Sequence, residues 1–200
     1  MNQYEIRADF DRDTIVVYQA FNAAIATAAL DAQRFVAPFS LTRMTWIKPS
    51  YRWLMHRSNW ARSPGQERIL AVRITRTGWE EALDHAVLTS PERRVYADAA
   101  DWRAQHPHAA VRVQWDPEYS IRNVKLDHRS IQVGLSRSMV QRYVDDWTTE
   151  IRDLTPLTHK ISAHLREGRV DRAKDLLPPE KRYPIPENLA KKIGAELFTR

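Results

Sequence analysis

The chain has no cysteine and only five glycines in 200 residues. Without cysteine there is no disulfide, no thiolate metal site and no cysteine nucleophile, and a reducing compartment is expected. So few glycines, with no G-x-x-x-x-G-K-[ST] or G-x-G-x-x-G among them, exclude a glycine-rich phosphate cradle, and with it the P-loop and Rossmann classes. No G-x-S-x-G elbow is present for a serine hydrolase. The seven histidines form no H-E-x-x-H. His106-Pro107-His108 reads as a loop, and His159 and His164 are spaced wrongly for one helix face, so no metal is expected. Long hydrophobic runs are missing too. The longest small apolar stretch, Ala20 to Leu30, contains Asn22 and Thr27 and is too short to cross a bilayer. The start, M-N-Q-Y-E-I-R-A-D-F, has no basic segment leading into an apolar run, so no signal peptide is expected. The expectation is a soluble, cytoplasmic protein that does not engage a membrane.

What the chain does have is positive charge and tryptophan. The formal net charge is +6, arginine greatly outnumbers lysine, and there are seven tryptophans. Arginine suits bidentate contacts to phosphate, so the balance points to nucleic acid or a phosphorylated ligand. Both features concentrate between Arg43 and Gln66, where Trp46, Tyr51, Trp53 and Trp60 alternate with Arg43, Lys48, Arg52, Arg57 and Arg62 and no acid intervenes. Rings interleaved with cations suit a planar anionic ligand. The same residues would equally serve as a core strand and helix with solvated cations.

Two hundred residues suit one domain. Strands are expected at Glu5 to Phe10, Thr14 to Ala20, Met44 to Lys48, Arg68 to Thr75, Val111 to Trp115 and Arg129 to Leu135. Asn22 is placed to cap a helix to Arg34, and Ser50 to cap one from Tyr51 to Trp60. Further helices are expected after Gly78 (Trp79 to Leu88), around Ala97 to Gln105, and from Met139 to Leu154. The last of these carries Val140, Tyr143, Val144, Trp147 and Ile151 at helical spacing. Leu157 to Arg166 and Asn188 to Phe198 should be helical, separated by a proline-rich extended segment, Leu176 to Pro186. The fold class is therefore α+β: one domain over 1–200 with a central, twisted, mixed or antiparallel sheet of about five to six strands. Residues 1–155 would form the α+β core, and 156–200 a helical extension packed on it.

Four strand segments carry polar residues: Gln19, Lys48 with Ser50, Gln114 with Glu118, and Arg129 with Gln132. A buried polar group without a partner costs roughly 1–3 kcal/mol. Four such strands converging would make a polar pocket; each could instead bond a neighbouring backbone group. Asp116, Glu118 and Asp127 are candidate acids near strand ends.

The stretches M-T-W-I-K-P-S (Met44 to Ser50) and R-S-I-Q-V-G-L (Arg129 to Leu135), with V-Y-Q-A-F-N, V-R-V-Q-W-D-P-E and Gly65-Gln66-Glu67-Arg68, closely resemble the bacterial and fungal family catalogued as domain of unknown function 4291, from about Ile6 to Thr155. A second resemblance is to ADP-ribosyltransferase-type folds. There V-V-Y-Q-A followed by Asn22 looks like the first strand and helix, W-I-K-P-S-Y-R-W-L like the second, and R-I-L-A-V-R-I-T like the third. It implies a protein that binds NAD or a related nucleotide and possesses ADP-ribosyltransferase-like chemistry on nucleic acid or protein. By that resemblance Tyr51 would stack on the base, Ser50 would bind ribose, and Tyr18 and Gln19 would line the site. Lys48, Arg129 or Arg7 would hold phosphates, and Glu118 or Gln132 would sit at the scissile glycosidic bond. The chain departs from the pattern at Gln19, where Arg or His is expected, and at Gln132, where Glu would stabilise positive charge on the ribose. A non-catalytic nucleic-acid-binding module using the same cations and rings is the alternative.

Overall fold

The computed structural model describes residues 3–136 and 138–197. Two long strands lie at its centre. β2 (Thr14–Phe21) and β4 (Arg68–Thr75) pair antiparallel along their whole length, Thr14 opposite Thr75 and Phe21 opposite Arg68. Both are apolar on both faces because both faces are covered. Ile15, Val17, Leu70, Val72 and Ile74 enter the larger core, while Val16, Tyr18, Ile69 and Ala71 enter a second one. A strand buried on both sides reads as a continuous apolar run rather than as alternation.

The second core is closed by α2 (Tyr51–Ser58), α6 (Thr155–Arg166) and α7 (Val170–Asp175), which contribute residues such as Leu54, Ile161 and Ala173. Asn22 caps α1 (Ala23–Ala32), its side chain accepting from the Ile25 N–H. Ser50 caps α2 by accepting from Trp53 N–H at 3.2 Å, as the serine before the helix led one to expect.

The four-stranded sheet runs in the order β3 (Thr45–Ile47), β7 (Lys125–Leu135), β6 (Val111–Tyr119), β5 (Ala86–Leu88). Alternation is clean here. Val111, Val113, Trp115, Ile131, Val133 and Leu135 face the larger core, leaving Gln114, Asp116 and Gln132 to the opposite face. β1 (Arg7–Ala8) and β9 (Lys181–Arg182) form a separate two-stranded pair. The architecture is α+β with mixed sheets, as expected, but the strands divide between sheets instead of forming one. The three-stranded and four-stranded sheets meet where the Tyr18 N–H donates to the Lys48 carbonyl at 2.7 Å.

Several segments differ from the sequence expectation, among them the C-terminal extension, which carries the strand β9 as well as helices. The helix expected over Met139 to Leu154 stops early. α5 (Ser138–Arg142) passes through a π-type turn, Tyr143–Trp147, into a strand, β8 (Thr148–Asp153), paired with β4. Pairing and side-chain bonds outweigh the helical spacing: the Gln33 amide takes the Ile151 N–H and donates to its carbonyl, and Arg68 pairs with Asp153 at 2.7 Å. α3 (Arg76–Asp84) ends before Ala86–Leu88, which instead pairs parallel with β6. Gly78 lies within α3 rather than ahead of it, and the position is glycine because an added Cβ would stand 2.3 Å from the Trp147 ring. The remaining helices are α4 (Ala99–Gln105) and α8 (Glu187–Ile193). α8 ends at Gly194, whose φ of 65° is left-handed. The expected end of that helix, Phe198, lies outside the described residues.

Candidate functional site

The polar face of β3–β7–β6 is not covered by a core. It forms one wall of a cleft of about 890 Å3, and α2 forms the other. Register places Gln114 directly opposite Gln132, and Trp46 opposite Gly134. Gly134 is required: a Cβ would lie 2.9 Å from Met44 Sδ and 3.0 Å from the Trp46 indole. The indole therefore lies across the strand where any other side chain would displace it. From α2 come Trp53, Leu54, His56 and Arg57; Arg43 and Gln66 complete the lining with Tyr119 and Pro117.

Asp116 is fixed between the two glutamines. Gln114 Nε2 donates to its Oδ1 at 2.7 Å and Gln132 Nε2 to its Oδ2 at 2.6 Å. Each carboxylate oxygen keeps a second lone-pair direction for a ligand. Lys48, at the junction of the two sheets, donates to the Trp46 carbonyl at 2.9 Å, with its ammonium 5.7 Å from the Trp53 ring centroid. Burial and the neighbouring Arg57 lower its pKa to about 7, partly offset by Asp116. Among the described residues, Arg43, Lys48 and Arg57 have no carboxylate within ion-pair distance, although all three line a cleft whose wall carries Asp116.

Of the site residues that the ADP-ribosyltransferase-type resemblance implies, Lys48 and Gln132 line this cleft, as do Gln114 and Asp116 among the strand polar residues. Tyr18, Gln19, Ser50, Tyr51 and Glu118 are buried beside it and do not line it. Gln19 donates to Thr45 Oγ1 at 2.7 Å and to the Trp46 carbonyl at 3.2 Å, and accepts from Tyr143 Oη at 2.6 Å. The Tyr51 hydroxyl is 2.7 Å from Thr158 Oγ1, and its ring meets Tyr18 edge to face. Glu118 accepts from Ser50 Oγ at 2.6 Å. Alternation along β6 would have put Glu118 on the cleft face with Gln114 and Asp116, but the register shifts between Pro117 and Tyr119, and Tyr119 takes the place. Arg129 donates to the Trp115 carbonyl at 3.0 Å and lies over the Tyr4 ring, and Arg7 pairs with Glu5 at 2.8 Å.

The neighbouring Glu180 anchors the proline-rich segment to the start of α2 by accepting from Tyr51 N–H at 2.8 Å. Burial, tempered by Arg52 and reinforced by Glu118, raises its pKa to about 7. Among the described residues no group of three or more His, Asp or Glu is placed to hold a metal, and no helix is long and apolar enough to cross a membrane.

The clamp on Asp116 was within reach of the sequence, since residues 114 and 116 share a strand face by period two. That Gln132 stands opposite Gln114 depended on the pairing.

The family model described as "Domain of unknown function (DUF4291)" matches residues 5–183. The chain belongs to this family. The match takes in both cleft walls, since β3, α2, β6 and β7 all fall inside the DUF4291 span. None of the curated proteins compared with the chain matches it.

Proposed function

We propose that the cleft binds NAD or a related nucleotide and that the protein is an ADP-ribosyltransferase-like enzyme with Asp116 as its carboxylate. The observation that carries this is the pairing of charges: cations without ion partners (Arg43, Lys48 and Arg57) beside an acid fixed by two amides. Uncompensated cations in a concave site attract phosphate, and a diphosphate best matches several of them. Trp46 and Trp53 add ring faces for a planar base.

Bound NAD supplies a nicotinamide–ribose bond that breaks with its electron pair leaving on nicotinamide, while an acceptor oxygen or nitrogen bonds to the anomeric carbon. The chain's own part is electrostatic. Asp116 sets negative charge at the cleft wall without having to reorient, and it can take the proton that the acceptor gives up. Gln132, neutral where the fold resemblance implies Glu, serves by holding Asp116. Gln19, Ser50, Tyr51 and Glu118 build the wall behind the site. A cytoplasmic location, where NAD is at hand, goes with this reading.

The test is calorimetry with NAD and ADP-ribose, together with nicotinamide release by wild type, Asp116→Asn and Glu118→Gln. Wild type should bind both ligands and release nicotinamide. Asp116→Asn should bind but turn over at least about 100-fold more slowly, while Glu118→Gln should lose stability with a smaller effect on turnover. A wild type that binds neither ligand, or an Asp116→Asn protein as active as wild type, overturns the assignment.

A further inference from the structure

A second groove adjoins the cleft. Pro117 lines both the cleft and this groove of about 400 Å3, which is also lined by Lys125, Asp127, His128 and Arg129. Within the cleft the exposed His56 ring stacks on Tyr119, with centroids 3.7 Å apart and planes 14° from parallel, and Tyr119 stands opposite Lys125 in the β6–β7 register. His56 Nδ1 lies 2.5 Å from Asn123 Oδ1, which ties the imidazole to the β6–β7 turn. That turn is held by Ser120, which accepts the Val124 N–H, and by Asn123 at a φ of 61°. It leaves Arg122 and Lys125 exposed, with no acid within ion-pair distance among the described residues. Asp127 lines the groove together with Lys125.

Among the described residues, cations with no carboxylate at ion-pair distance thus run from Arg43 and Arg57, past a stacked ring pair, to Arg122 and Lys125. We propose that this line is a track for a single-stranded nucleic acid, which presents itself at the cleft as the acceptor while the nucleotide occupies the cleft. The inference rests on the nucleotide reading above for the acceptor role, and on the track alone for binding. A nucleic-acid strand supplies what the track offers, phosphates at regular intervals for the cations and a planar base for the His56–Tyr119 pair. An acidic peptide would satisfy the cations and leave the rings unused. A duplex keeps its bases stacked away from such a platform.

Fluorescence anisotropy with labelled single-stranded RNA and DNA of about 12 nucleotides tests this, with a duplex and poly-glutamate as controls. Neutralising about four phosphates predicts an affinity about 50-fold weaker at 200 mM than at 50 mM salt. The double variant Arg122→Glu, Lys125→Glu should weaken single-strand binding by at least about tenfold, because two of those contacts turn repulsive. It should leave NAD binding by calorimetry unchanged. The same charge change on α6, Lys160→Glu with Arg166→Glu, should alter strand affinity by less than about twofold, since neither residue lines the cleft or the groove and salt screens charges that make no direct contact.

Mass spectrometry of the strand after incubation with NAD reads the acceptor role. One ADP-ribosyl group should be gained for each nicotinamide released, the strand's lost proton passing to solvent by way of the protein. Absence of strand binding at 50 mM salt overturns the track, as does equal binding of poly-glutamate or indifference to the hairpin charge reversal. NAD binding without strand binding would remove this inference and leave the nucleotide reading standing. Strand binding without NAD binding would remove the acceptor role and leave a nucleic-acid-binding module.

Discussion

Raising the pH from 7 to 9 should weaken nucleotide binding to the cleft by about 50-fold, and Lys48 is the reason. In the unliganded protein its pKa stands at about 7, held down by burial and by Arg57. A phosphate beside the ammonium would restore the pKa toward its ordinary value, so binding takes up a proton. Affinity is then fully present below pH 7 and falls about tenfold per unit above it, with half of the lysine already neutral at pH 7. A 50-fold change corresponds to about 2.3 kcal/mol. Folding runs the other way. Between pH 7 and the unfolded value of about 10.4 the unfolded chain binds more protons at this lysine, so this group makes the free protein more stable as pH rises. Unfolding therefore does not account for the lost affinity. Calorimetry with ADP-ribose at pH 6, 7, 8 and 9 measures the slope, and buffers of different ionisation enthalpy count the protons. Lys48→Arg, charged throughout the range, should bind with little pH dependence. A flat wild-type profile between pH 7 and 9, or the same slope in Lys48→Arg, would refute the reasoning.

Gly134→Ala should push the Trp46 indole and Met44 out of place, since its Cβ would lie 2.9–3.0 Å from both. Denaturant melts should show a loss of about 1–3 kcal/mol, with weaker nucleotide binding. Tyr143→Phe removes the hydroxyl that donates to Gln19 Oε1 and should cost about 1–2 kcal/mol in the same melts, while nucleotide affinity stays unchanged because neither residue reaches the cleft.

The sequence by itself determined the elements whose cause is local. Asn22 and Ser50 announce their helices because each places an acceptor within reach of a free N–H two or three residues on. The apolar runs of β2 and β4 announce strands, though that both faces are buried came only with the fold. The Arg43 to Gln66 stretch also stood out for its rings and cations without acids, and the cleft takes Trp46, Lys48, Trp53 and Arg57 from it. Tertiary structure decided the rest. Thr148–Asp153 is a strand because β4 and the Gln33 amide offer its backbone partners that a helix would forgo. Which polar residues reach the cleft was settled by register. Gln132 meets Asp116 only through the β6–β7 pairing, and a shift after Pro117 exchanges Tyr119 for Glu118. Gln19 and Tyr51 are polar in the sequence for a different reason: they satisfy one another's neighbourhood, with Gln19 bonded to Tyr143 and Tyr51 to Thr158 across more than 100 residues of chain. A side chain's partner that far away in sequence leaves no local periodicity, so the difference between a cleft-facing polar group and a core-satisfying one is made only when the sheets close.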